Sequence, residues 1–191
     1  MPIEIEAKMR VNDFAAVREA LKSAGAEQRG QVLETNTFFD TKDRSLLAKD
    51  SGLRVRVNRH ADGRQTFLIT FKGPMRAGDL KTRDEIEIAI DNPNNAAQML
   101  NRLGFEAELS FEKRRESWQL DDCHIELDEM PYLGKFVEIE GPNEPVVMRL
   151  RQKLGLDDLP LEKKGYITLL SEYLISNHIK DREITFAKLP L

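Results

Sequence analysis

Residues 3–9 read Ile3-Glu4-Ile5-Glu6-Ala7-Lys8-Met9, and whether they form a β-strand decides the fold. Alternate residues of a strand share a face, so Glu4, Glu6 and Lys8 would point one way and Ile3, Ile5, Ala7 and Met9 the other. Two carboxylates on one face repel each other unless a cation lies between or opposite them. That cation is either a Lys or Arg on a neighbouring strand or a metal ion. The same acid–apolar–acid pattern returns at Glu85-Ile86-Glu87 and Glu138-Ile139-Glu140.

Working outward, period-two alternation predicts strands over 3–10, 31–40, 53–59, 65–72, 81–90, 106–120, 123–129 and 135–140. Ala61-Asp62-Gly63 and Asp121-Asp122 read as tight turns, and 73–79 as a loop. Helices are predicted from Asn12 or Asp13 to Ser23, from Pro93 or Asn94 to Gly104, over 144–154 and over 164–177, with a helical turn at Ser45–Ala48. Each Glu-Ile-Glu strand precedes a turn, a helix and then a glycine (Gly25, Gly104, Gly155), a weak internal repeat that would set helices against one side of a sheet. Residues 1–178 read as one domain and 179–191 as a tail with no assigned structure.

The polar faces of these strands are charged. Arg54 and Arg56 oppose Leu53, Val55 and Val57; Lys72 opposes Phe71; Glu126 and Asp128 oppose Ile125 and Leu127. An antiparallel sheet with one face in water would account for the alternation alone. It does not account for the grouping by sign, acid with acid at Glu4/Glu6 and Glu138/Glu140, base with base at Arg54/Arg56 and Lys113/Arg115. Like charges side by side cost stability that Thr or Ser would not. About seven such strands suffice to close a barrel, with the apolar surface under the helices and the charged surface lining the inside. Confined charge of that kind makes sense as a site, not as a stabilising device. Arg54, Arg56, Lys72, Lys113 and Arg115 suit a polyanion. Glu4, Glu6, Glu138 and Glu140 make a hard oxygen set suited to Mg²⁺ or Mn²⁺. Together these meet the needs of phosphoryl or nucleotidyl transfer.

The chain has 191 residues, 40% of them hydrophobic and 32% charged, enough for one domain with a real core. A net charge of -4 gives no reason to expect a nucleic-acid or membrane partner. The single cysteine, Cys123, excludes an internal disulfide, and the absence of a signal-like or membrane-length apolar run reads as cytoplasmic. His60, His124 and His178 have no metal-ligand spacing, no serine has a triad partner, and Trp118 reads as packing.

Six motifs in order carry a resemblance: Glu4-x-Glu6-x-Lys8, Phe39-Asp40-Thr41, Leu53-Arg54-x-Arg56, Phe71-Lys72-Gly73-Pro74, Lys113-x-Arg115 and Leu133-Gly134-x-Phe136-Val137-Glu138-Ile139-Glu140. Over residues 3–175 the chain resembles the CYTH superfamily of triphosphate tunnel metalloenzymes, which includes class IV adenylyl cyclases, thiamine triphosphatases and inorganic triphosphatases. The resemblance implies an α+β fold, an eight-stranded antiparallel tunnel with a charged lumen and helices outside. It implies Mg²⁺ or Mn²⁺ held by Glu4, Glu6, Glu138 and Glu140 with help from Asp128, a catalytic strand of Glu4, Glu6 and Lys8, and phosphates held by Lys8, Arg54, Arg56, Lys72, Arg83, Lys113 and Arg115. Lys163 resembles a late family lysine that also reaches the triphosphate; Gly165 stands where the family has a serine. The expected partner is a small-molecule triphosphate, the protein a monomer or homodimer. Hydrolysis of a phosphoanhydride is the leading expectation; cyclic AMP synthesis from ATP and non-catalytic polyphosphate or nucleotide binding are the alternatives.

Overall fold

The computed structural model describes residues 3–188. Nine strands and five α-helices follow one another as β1 (Ile3–Val11), α1 (Ala15–Ser23), β2 (Glu27–Thr41), α2 (Ser45–Ala48), β3 (Gly52–His60), β4 (Gln65–Lys72), β5 (Lys81–Ile90), α3 (Pro93–Arg102), β6 (Phe105–Leu120), β7 (Cys123–Met130), β8 (Gly134–Glu140), α4 (Glu144–Lys153), α5 (Tyr166–Ser176) and β9 (Glu183–Ile184). The first eight strands run in the order β2-β3-β4-β5-β1-β8-β7-β6, and β6 pairs with β2 to close an antiparallel barrel. Closure removes both sheet edges. Among the described residues no helix is long and apolar enough to cross a membrane.

The apolar strand faces lie outside, as the alternation requires. Val17 and Leu21 of α1, Val147 and Leu150 of α4 and Leu154 just past its end pack on Ala7, Met9, Ile125, Leu127, Val137 and Ile139. Ala96 and Leu100 of α3 cover Phe39 and Val55. Trp118 and Cys123 are buried in the first of these clusters. The strand–helix–glycine repeat is present three times, β1-α1, β5-α3 and β8-α4. Gly25, Gly104 and Gly155 each have positive φ (84°, 90° and 67°), a conformation that L side chains adopt only with strain.

Helix α1 starts later than the sequence predicts, because Asp13 accepts from the Ala15 amide in a turn of its own while Phe14 occupies the cap. Strand β2 starts earlier, at Glu27, because β6 is long enough to pair with it from Glu27↔Gln119 to Thr41↔Phe105. Part of the unassigned tail has structure: Glu183 and Ile184 pair in parallel with Ser110 and Phe111 of β6. Since β7 pairs with β6 only from Arg114 onward, β9 takes the side of β6 that β7 leaves open.

In an antiparallel ring the β2–β3, β4–β5 and β7–β8 connections leave the barrel at one end. Helix α2, the 73–80 segment and the residues around Leu133 therefore gather there. Leu170 and Leu174 of α5 pack across this end, on Leu109, Phe111, Met130 and Phe136.

Candidate functional site

Strand register turns the sign grouping into cross-strand pairs. Glu4 lies opposite Arg83 and Glu6 opposite Lys81; Lys8 opposes Glu138; Glu34 opposes Lys113; Arg115 opposes Asp128. Like charges within each strand are thus answered mainly by the neighbouring strand. These faces surround a cavity of about 490 Å³, lined by Glu4, Glu6, Glu138 and Glu140 and by Arg54, Arg56, Lys72, Arg83, Lys113 and Arg115. All ten are residues the sequence singled out.

One wall is acidic. Glu4 accepts from Lys72 Nζ at 2.6 and 2.7 Å, and Glu6 accepts from Lys81 Nζ at 2.6 Å. Glu140 is the Cα partner of Glu6 and has no such partner cation. It reaches solvent at the residue level, yet the protein crowds its carboxyl. That burial and the repulsion of Glu4, with Glu6 and Glu85 beyond, push it up to about 7.

The other wall is a buried network. Glu34 is 1% exposed and lies 3.2 Å from Lys113 and 3.3 Å from Arg56. Although burial opposes it, these two cations with Arg115 hold the Glu34 carboxyl well below the usual range. Asp128, fully buried, accepts from Arg115 at 2.7 and 2.6 Å, from Lys113 at 3.1 Å and from the Tyr166 hydroxyl at 2.9 Å. Glu138 accepts from Arg115 at 2.7 Å; against the effect of burial, Arg115 and Lys8 hold its carboxyl well below the ordinary value. Arg56 donates to Asn36 at 2.9 Å.

Among the described residues, three buried cationic groups lack hydrogen-bond partners: Lys8 Nζ, Arg54 Nε and Arg83 Nε. A buried donor without a partner is expensive, so such groups mark places where something else binds. Burial, reinforced by Arg56, lowers Arg54 to about 10. Lys8 sits 4.4 Å over the Tyr166 ring and 3.8 Å from Glu138, and burial with the nearby Lys81 lowers its pKa.

Two expected site residues have protein partners of their own. Asp128, expected to help hold a metal, accepts from Arg115, Lys113 and Tyr166 and so orients the basic wall. Lys163 was expected at the phosphates; it does not line the cavity, and its Nζ donates to the Gly78 carbonyl at 3.2 Å. Sequence reading also missed Glu34 and Tyr166. Glu34 and Asn36 share the period-two register of the lumen, a signal that could have found Glu34. Tyr166 has no such signal, because α5 reaches the lumen only through the tertiary fold.

Among the described residues, no three His, Cys, Asp or Glu are gathered closely enough to hold a metal as they stand. Glu4, Glu6 and Glu140 nevertheless fit a hard divalent cation chemically. They are hard oxygen donors on adjacent strands, Glu6 and Glu140 directly opposite each other.

The CYTH domain family model matches residues 2–152, and the chain belongs to that family. MJ0240 of Methanocaldococcus jannaschii, provisionally named an adenylate cyclase, is 32% identical over 176 residues, covering 87% of this chain and 98% of the relative. Adenylate cyclase CyaB of Aeromonas hydrophila is 30% identical over 191 residues, covering 93% of both chains. The PH1819 protein of Pyrococcus horikoshii OT3 has a solved structure with a TM-score of 0.78 at 30% identity, covering 89% of this chain and 99% of that one.

Proposed function

We propose that this chain is a divalent-metal-dependent enzyme that binds a triphosphate in the barrel and hydrolyses one of its phosphoanhydride bonds. The observation that carries the reading is the pair of unpartnered, buried guanidinium donors, Arg54 Nε and Arg83 Nε, on a cavity that also gathers the carboxylates of Glu4, Glu6 and Glu140. An anion satisfies the first group and a cation the second; a metal–triphosphate complex supplies both.

Mg²⁺ or Mn²⁺ held by Glu4, Glu6 and Glu140 would supply Lewis-acid neutralisation of phosphate charge. Arg54, Arg83 and Lys72 bind phosphate oxygens at the acidic side of the cavity. Arg56, Lys113 and Arg115, fixed by Glu34, Asp128 and Glu138, receive the phosphates on the opposite wall without having to reorganise. Lys8, buried and close to Glu138, adds positive charge as negative charge builds on the leaving phosphate. Glu140, the member of the acid set without a hydrogen-bonded lysine, orients the attacking water. The water oxygen bonds to the terminal phosphorus as its proton passes to the Glu140 carboxylate, and the bridging P–O bond breaks with its electron pair going to the leaving phosphate.

A second reading is cyclisation, favoured by the adenylate cyclase names of two relatives at 30–32% identity. In that reaction the ribose 3′-hydroxyl attacks the α-phosphorus and pyrophosphate leaves. Incubation with ATP or inorganic triphosphate and Mg²⁺ or Mn²⁺, with products resolved by anion exchange, separates the two. Orthophosphate supports hydrolysis. Cyclic AMP with pyrophosphate overturns it in favour of cyclisation.

A further inference from the structure

The motif Phe39-Asp40-Thr41 has no place in the phosphate chemistry, yet it is heavily engaged. Asp40 accepts from the amides of Thr41 and Leu46 through Oδ1 and from that of Leu47 through Oδ2, at 2.7, 3.0 and 2.9 Å. Thr41 Oγ1 accepts from the Ser45 amide at 3.0 Å and lies 2.7 Å from the Ser45 hydroxyl. The object of this clamp is α2, four residues long, with no buried residue. So short a helix is not stable by itself, and one with no fully buried residue adds little to the core. It is also bracketed by Arg44 and Asp50 at φ 56° and 50°, left-handed conformations that cost energy in any residue but glycine. The fold holds α2 in place for some reason other than packing.

The position of α2 supplies the reason. Leu47 is 60% exposed and lines the charged cavity at its mouth, with Asp50 and Ser51 beside it. Phe38 and Ile167 line the same cavity. Phe38 is the Cα partner of Arg54, so the apolar group directly adjoins a cation with an unpartnered Nε. The Phe38 ring is itself steadied by stacking on Phe111 at 5.6 Å. Asp50 accepts from the Met75 amide at 2.9 Å, which ties α2 to the segment between β4 and β5. A purely inorganic chain of phosphates has no use for Leu47, Phe38 and Ile167; a flat organic group attached to the innermost phosphate has.

We propose that Leu47, Phe38 and Ile167 form the seat of the substrate's non-phosphate part, that Asp40 is the positioning residue that holds Leu47 there, and that the substrate is an organic triphosphate bearing an apolar ring. The proposal rests on the triphosphate reading above. With the ring on this seat, the attached phosphates run past Arg54 into the basic and acidic walls.

The test compares ATP, as the probe for an organic triphosphate, with inorganic triphosphate. Binding is measured by calorimetry and turnover by product release, in wild type, Leu47→Ser and Asp40→Asn. Wild type is expected to prefer ATP. The ratio of kcat/KM for ATP to that for inorganic triphosphate is expected to fall about tenfold in Leu47→Ser and in Asp40→Asn. Leu47 is exposed, so Leu47→Ser should melt as wild type does, and thermal melting checks this. An unchanged ratio in Leu47→Ser, or a wild-type preference for inorganic triphosphate, overturns the seat while leaving the triphosphate reading intact. Failure of both compounds to bind or turn over overturns that reading, and the seat with it.

Discussion

At the scale of single residues, the barrel is a place where charges are confined and mostly paired, and the proposed function assigns the chemistry to the few without partners. Arg54→Ala removes a donor that has no protein acceptor at Nε, so it should leave the fold intact and cost about 10²–10³ in kcat for triphosphate turnover, as steady-state kinetics would show. Glu34 is the opposite case, a buried acid surrounded by Lys113, Arg56 and Arg115. Replacing it by Gln leaves those cations uncompensated and should cost about 3–5 kcal/mol at pH 7. The folded-state pKa of Glu34 lies below its unfolded value of about 4.3. Its stabilisation is therefore complete above that value and is lost as pH falls through the folded one. The gap in stability between wild type and Glu34→Gln should thus narrow below about pH 4, and urea unfolding from pH 7 to pH 3 would measure it. A gap that stays constant with pH would contradict the assignment.

At the scale of elements, the sequence made most strands legible because the period-two alternation is strict on both surfaces. Ile125 and Leu127 lie outside with Glu126 inside, and Val137 and Ile139 lie outside with Glu138 and Glu140 inside, as the pattern requires. The basic residues at Arg54, Arg56, Lys113 and Arg115 were found for the same reason. What stayed hidden depends on tertiary contact. The tail residues Glu183 and Ile184 become a strand only because β7 leaves part of β6 open. Asp128 looks like its acidic neighbours in sequence and differs from them only in what surrounds it. Arg151 is another such case: a buried arginine on α4 that donates to the carbonyls of Leu156, Asp157 and Leu159 and so fixes the segment leading to α5. Arg151→Met keeps the stem but orphans three acceptors. It should lower stability by about 2–3 kcal/mol in denaturant unfolding and loosen Tyr166 from Asp128. A loss below about 0.5 kcal/mol would show that the segment holds itself.

At the scale of the whole molecule, outer helices and a closed sheet stabilise an interior that is electrostatically costly. A metal–triphosphate complex bound there, as proposed, would offset that cost. Inorganic triphosphate or ATP at a hundredfold excess over its Kd should therefore raise stability by about 2.7 kcal/mol, seen as a thermal shift that requires Mg²⁺ or Mn²⁺ and is reversed by a chelator. The most direct test of the central claim is the initial rate of phosphate or pyrophosphate release from a triphosphate by wild type and by Glu4→Gln/Glu6→Gln, each with Mg²⁺, with Mn²⁺ and with excess chelator. Both variant positions keep their volume and lose the charge that a cation needs. Turnover by wild type that depends on the metal, and falls by about 10² or more in the double variant, is the result predicted. Turnover that is indifferent to the chelator, or equal in the two proteins, would contradict the assignment of Glu4 and Glu6 as the metal-holding strand.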